Sequence, residues 1–389
     1  MKISEEKIEK INIFLILMTL LVFLTHRYFR GLTILWVLSG AFYIKKYGYK
    51  KTGFEIPLLI YIISLFLSLS FSLDFKHSLK EIYRHSFGFV PPFFISQLTI
   101  NKRLKEKYIN WIILALAIYF FIVTKSMALG KIPSYFYQRY IPLEIMPVEF
   151  CFIAGVMCIY LWSSFLKEKK IQMKLLNILG VLLIGYVLLE TQTRGAWLGV
   201  IFSVILTYLV NSKNLKTDIM KVFSFGGFIG GIFYVFRNTP KLLPIYSRIL
   251  SIGNMQTDRS NTARLVAWRI GKEKFLQRKL TGWGYKAKQV YDTGEFGGYQ
   301  KLDHPHSDYI SYLVNTGIIG LLSYLYLMFT IILKSFQNRE DTCWLTMFGI
   351  TVYTLTYGVV ENLFHVTNSL FLFLFFLSIC LIKESKDEN

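Results

Sequence analysis

Apolar runs close to 20 residues long recur along this chain, separated by short polar connections. A helix of about 20 apolar residues matches the roughly 30 Å hydrocarbon layer of a bilayer. The pattern predicts twelve spans, near 11–25, 32–44, 54–73, 87–100, 108–124, 147–166, 173–190, 195–211, 219–236, 311–333, 343–360 and 366–382. The second and fourth are short for a bilayer and fit tilted partners or re-entrant segments. The longest break in the pattern is 237–310. It holds 13 Lys and Arg and closes on Asp303-His304-Pro305-His306-Ser307-Asp308-Tyr309. The predicted fold is an all-α polytopic membrane protein of about 12 transmembrane helices with one large external loop domain containing helices. Its parts are 1–236 with helices one to nine, 237–310 as the loop, and 311–389 with helices ten to twelve and a tail. No internal repeat or low-complexity tract interrupts this division.

Composition agrees. The chain is 53% hydrophobic and 17% charged, where soluble chains are about a quarter charged. The charged start, Met1 to Lys10, makes the first apolar run a retained span rather than a cleavable signal. Cys151, Cys158, Cys343 and Cys380 fall within or at the edges of spans without a CxxC, which reads as buried small hydrophobes. The formal charge of +20 reports topology first. One alternate set of connections carries 22 Lys and Arg, and the short connections of the other carry 9. The positive-inside rule then puts both termini in the cytoplasm and the long loop outside, since long loops translocate largely regardless of charge. All six histidines (His26, His77, His85, His304, His306 and His365) fall on the external side. Between Asp74 and Ser86, the helical spacing of Phe75, Leu79, Ile82 and Tyr83 fits either an interfacial helix or a solvated loop.

Three external elements offer chemistry. Arg194 opens a span after almost no loop, in Thr191-Gln192-Thr193-Arg194-Gly195-Ala196-Trp197-Leu198-Gly199. It suits an interfacial anchor beside Trp197 or a bidentate phosphate contact. Gly195 and Gly199 form a GxxxG that permits close helix packing. In the second element, Asn261 or Thr262 caps a loop helix carrying Arg264 and Trp268 on one face. Arg259, Arg269, Lys272 and Lys274 there suit anionic headgroups. The turn Thr281-Gly282-Trp283-Gly284-Tyr285 follows, too short a signal for a nucleotide site. In the third, His306 precedes a helix with Gly317 and Gly320, placed either as surface decoration or to take a proton near neutral pH. His304-Pro305-His306 lacks third and fourth ligands at motif spacing, and no HExxH or DxD occurs, so no metal or other cofactor is expected. There is no GxSxG, Walker A or kinase signature, and nothing points to nucleic acid.

Four motifs in this order, Thr193-Arg194-Gly195-Ala196-Trp197-Leu198-Gly199, Asn261-Thr262-Ala263-Arg264 with Trp268, Gly282-Trp283-Gly284-Tyr285, and His306-Ser307-Asp308-Tyr309 with Gly317-Ile318-Ile319-Gly320, carry a family likeness. The chain resembles the O-antigen ligase and polymerase superfamily of bacterial envelope proteins, over roughly 150–330 in motif terms. The family's loop pattern often has Leu where Trp268 stands. The resemblance implies transfer of a glycan from undecaprenyl diphosphate at the outer face of the inner membrane. A ligase places it on a lipid A–core sugar, and a polymerase on another carrier-linked repeat. The chain's length favours the ligase, since protein-glycosylating relatives usually carry a larger C-terminal domain. The expected reaction needs Arg194 and Arg264 to hold the diphosphate and His306 to act as general base. Asp303 or Asp308 would orient that base. Further support is expected from His304, Arg259 and Tyr309. Tyr285, Tyr291, Tyr299 and Tyr309 are candidates to stack on sugars. A single displacement predicts inversion without a metal. A lipid-linked oligosaccharide flippase is the rival of another class, opposed by span interiors nearly free of charge.

Overall fold

A computed structural model describes residues 5–25, 30–132, 140–142, 146–239, 243–251, 253, 259–287 and 304–384. The chain is all-α. Its first half runs α1 (Glu5–Leu24), α2 (Arg30–Tyr47), α3 (Glu55–Leu67), α4 (Phe75–Phe87), α5 (Val90–Ile95), α6 (Lys102–Ala128), α7 (Pro147–Lys167) and α8 (Ile171–Glu190). Then follow α9 (Arg194–Val210), α10 (Leu215–Phe236), α11 (Leu243–Leu250), α12 (Arg259–Gln277), α13 (Asp308–Gln337), α14 (Thr342–Tyr357) and α15 (Thr367–Leu381). A two-residue parallel pairing, Thr99–Ile100 with Lys383–Glu384, is the extended exception among the described residues.

Every predicted apolar run except the fourth coincides with a helix. The stretch 87–100 breaks instead. Its helical part, α5, is six residues opening on Val90-Pro91-Pro92, about 9 Å of rise. The chain there runs beside α15, from Gly88 against Leu370 and Phe371 to Ile100 paired with Glu384. Proline supplies no N–H, which suits the first turn of a helix and not its interior. Four helices among the described residues are long and apolar enough to cross a membrane: Lys105–Ala128, Pro147–Lys167, Ile171–Glu190 and Asp308–Gln337. Leu175, Leu179 and Leu182 form an outward apolar stripe on α8. Such a face suits lipid rather than water. The protein is an all-α membrane protein.

α7, α14 and α15 form the centre and are apolar on all sides, as helices surrounded by helices must be. Small residues set how closely they pack. A Cβ on Gly199 would sit 2.8 Å from Tyr353, and one on Gly195 2.5 Å from Val360, so the GxxxG of α9 is the seat for α14. Tyr353 also lies against Gly155 and donates to the Cys151 carbonyl at 2.8 Å. α13 kinks at Gly317, whose φ of 65° favours glycine. The Gly282-Trp283-Gly284 turn docks in this kink. Trp283 N donates to Val314 O at 2.9 Å, Gly284 N to Asn315 O at 3.0 Å, and Ile318 N to Lys279 O at 2.8 Å. The short GxG motif is therefore a wedge that satisfies backbone groups at the break.

Candidate active site

The N-terminal ends of α7, α9 and α13, the α14–α15 connection, and α4 and α12 meet at one end of the bundle. They enclose two cavities, of about 170 Å³ and 690 Å³, which share Val148 and Glu361 in their walls. The smaller holds three arginines, Arg194, Arg248 and Arg264, beside Leu198, Leu265 and Trp268. A site with fixed cations and an apolar edge suits a phosphorylated lipid.

Arg194 is buried at the first residue of α9. A cation at the positive end of a helix dipole runs against the stabilising pattern, so both the dipole and the guanidinium favour an anion in the cavity. Arg194 Nη1 donates to the Ser251 carbonyl at 3.0 Å and hydroxyl at 2.6 Å, and Nη2 donates to Asn261 Oδ1 at 3.2 Å. These contacts orient it from the 237–310 segment. Trp268 lines the same cavity, and its buried indole N–H finds no hydrogen-bond acceptor among the described residues. A buried donor of this kind needs an explanation, and a ligand oxygen is one.

Glu361 stands between the cavities. Its Oε1 accepts from Arg264 Nη2 at 2.5 Å, and its Oε2 lies 3.2 Å from His306 Nδ1. Arg264 Nε also donates to the Val360 carbonyl at 3.1 Å. Burial pushes the Glu361 carboxyl up, but the His306 hydrogen bond and the Arg264 charge outweigh it and leave its pKa below the ordinary value. An ionised carboxylate can only accept, so a neutral His306 carries its hydrogen on Nδ1 and its lone pair on Nε2. The ring lines the larger cavity. His306 itself has a left-handed backbone, φ 49°, a strained conformation for a non-glycine residue that the packing around it must hold.

The structure brings Arg194, Arg264 and His306 to one region, around Glu361 and the two cavities. The supporting residues are distributed differently. Asp308 is fully buried and faces His365, whose Nδ1 lies 3.1 Å from Oδ1. The Asp308 carboxylate also accepts from Leu363 N and Phe364 N, each at 3.1 Å. It ties the α14–α15 connection to the start of α13, while the carboxylate beside His306 is Glu361. His304 is exposed, with its ring 4.3 Å from that of His306. Arg259 opens α12, so Asn261 and Thr262, the two candidate caps, lie inside the helix. Asp303, Tyr291 and Tyr299 lie outside the described residues. Tyr285 is corrected: it is fully buried, with its hydroxyl 2.9 Å from His85 Nδ1, and has no face for a sugar. Tyr309 donates to the Leu355 carbonyl at 2.9 Å and braces α13 on α14.

Sequence reasoning passed over Glu361 and Arg248. Glu361 ends an apolar run and carries no motif. Its one signal is an acid at a span end whose neighbours in type are basic or neutral.

Comparison with known proteins bears on this site. Residues 179–325 match the family model described as O-antigen ligase. This segment is similar to the O-antigen ligase family. It contains Arg194, Arg248, Arg264 and His306, and it ends before Glu361. No curated protein matches. One solved chain, from work titled "Structural coordination of polymerization and crosslinking by a peptidoglycan synthase complex", is 15% identical, with a TM-score of 0.47. It covers 85% of this chain and 96% of its own. The match supports the ligase and polymerase type of glycosyltransferase superfamily, whose members act on lipid-linked glycans.

Proposed function

We propose that the protein moves an O-antigen glycan from undecaprenyl diphosphate to a hydroxyl of a lipid A–core sugar. The observation that carries this reading is Glu361, which joins the arginine-lined cavity to the His306 cavity through one carboxylate. The donor diphosphate occupies the arginine cavity, held by Arg194, Arg264 and Arg248. His306 Nε2 takes the proton of the acceptor hydroxyl, and Glu361 holds the resulting imidazolium through Nδ1–H. The acceptor oxygen forms its bond to the anomeric carbon as the bond from that carbon to the diphosphate oxygen breaks. The diphosphate leaves with the electron pair, and its charge falls among guanidinium groups. One displacement inverts the anomeric centre. The arginines supply the positive charge that a metal would otherwise supply, so a chelator leaves the rate unchanged.

The same reading gives twelve spans, both termini in the cytoplasm, and the site on the periplasmic face of the inner membrane. The 237–310 loop then contributes Arg264, Arg248 and His306, and the α8–α9 turn contributes Arg194. The test is transfer in vitro from defined carrier-linked glycan, with chelator, to lipid A–core or to a second carrier-linked glycan. Product on lipid A–core supports the ligase. Ladder growth on the carrier alone makes the protein a polymerase. Movement of intact donor across a bilayer without transfer makes it a flippase and overturns the proposal.

A further inference from the structure

Helix α4 has three distinct faces. His77, Lys80, Glu81 and Arg84 line the larger cavity. Ser78, Ile82 and His85 are buried against the bundle. Phe75, Leu79, Tyr83 and Phe87 form a third stripe, exposed at 55%, 39%, 68% and 37%. Residues at this spacing share one face of a helix, and an interfacial helix sinks such a face into the acyl boundary. The helix starts firmly, with Asp74 accepting from His77 N at 3.0 Å. One short helix thus turns an apolar face outward on one side and lines the His306 cavity on another.

The cavity face is unevenly charged. Lys286 reaches it from the turn after α12 and places Nζ 3.2 Å from Glu81 Oε2, while Arg84 Nη1 lies 2.7 Å from Glu81 Oε1. Two cations thus hold the Glu81 carboxylate, and Lys80 lines the same cavity, whose other carboxylates are Glu149 and Glu361. A structural ion pair needs only one. Burial pulls the Lys286 amine below the ordinary lysine value, against the Glu81 charge that raises it. The backbone adds a separate sign. Gln192, Lys286 and His306 are the non-glycine residues of positive φ among those described, and each lines one of the two cavities. Strained backbone of this kind gathers at functional positions.

We propose that α4 and Lys286 form an acceptor-lipid site, in which Arg84 and Lys286 exchange Glu81 for the phosphate of a lipid headgroup. The proposal rests on the reading that the acceptor is lipid-borne. Phosphate oxygens accept from guanidinium and ammonium groups, and Glu81 holds both cations in place while the site is empty. The acceptor's apolar chains lie along the Phe75–Tyr83 stripe, its phosphate meets α4, and its sugar hydroxyl reaches His306 in the same cavity.

The test is binding, so it needs no transfer. Full-length protein in neutral detergent is titrated with short-chain phosphatidic acid, with diacylglycerol of the same chains, and with inorganic phosphate. Phosphatidic acid is expected to bind most tightly of the three. Lys286→Met with Arg84→Gln should weaken it about tenfold or more, and Glu81→Gln should tighten it by removing the competing carboxylate. A misfolded variant cannot produce that gain. Equal affinity for diacylglycerol, equal affinity for inorganic phosphate alone, or unchanged affinity in the variants would overturn the proposal. Absence of transfer in wild-type protein that still shows this binding pattern would overturn the glycosyl-transfer reading and leave the lipid site standing.

Discussion

The two ends of the helix bundle use charge in opposite ways. At the end where α7 finishes and α13 turns into α14, Lys167 pairs with Glu340 at 2.8 Å, with the glutamate side chain 87% exposed. Lys102 pairs with Asp341 there as well. At the other end, Glu361 is 5% exposed and holds both Arg264 and His306. An exposed pair adds about 0–1 kcal/mol and is easily given up. A buried one loses hydration and seldom repays it in stability, so its retention points to chemistry. Counting basic residues finds the first end. Only burial and convergence mark the second.

The largest effect that would sharpen this contrast is at His306. His306→Ala should cut glycan transfer about 10²- to 10⁴-fold in protein that inserts and elutes normally. A rate near wild type would remove the general base from the proposal. Glu361→Gln should follow, lowering transfer about 10²-fold and lowering the melting temperature, because Arg264 loses its buried counter-charge. Retained melting temperature and rate would make Glu361 incidental. Arg194→Lys keeps the charge and loses the guanidinium fork. Transfer should fall about tenfold, with the loss read in steady-state kinetics against donor concentration; an unchanged rate would assign Arg194 to anchoring alone.

Acid should affect the two ends differently. Burial lowers the pKa of His85, with the Lys286 charge adding to it, and burial also lowers that of His365 against the pull of Asp308. Below the ordinary value of 6.5 the unfolded chain takes up protons that the folded chain resists, so stability rises with pH. It is full above about pH 6.5 and declines as pH falls through that value toward the lowered ones. Melting in detergent from pH 8 to 5 should show this fall, and His85→Gln should flatten part of it. The smallest effect belongs to the exposed end: Lys167→Met should change stability by less than about 1 kcal/mol and leave transfer intact. A large loss there would break the comparison.

Much of the site was legible because its groups sit at recognisable positions. Arg194 opens a helix at an inter-span turn, Arg264 shares a helical face with Trp268, and His306 heads a long apolar helix. Their supports were not. Asp308 is two residues from His306 in sequence, yet a fixed helix start aims it at His365. Glu361 is 55 residues from His306 and meets it only because α13 and α14 pack side by side. Tyr285 sits in a polar-looking loop and is buried because the Gly282–Gly284 turn wedges into the α13 kink. The α4 segment fitted either an interfacial helix or a solvated loop, and the structure assigned it three faces.

Hydropathy is a local property. Sequence alone therefore determined that the chain is a helical membrane protein, where most of its long apolar helices fall, and which short motifs it shares with the O-antigen ligases. The broken fourth run, the two cavities and the Glu361 bridge between them were decided by tertiary structure. They depend on which helix ends come together, and that is set by glycine seats such as Gly195 and Gly199 and by buried hydrogen bonds between residues far apart in the chain.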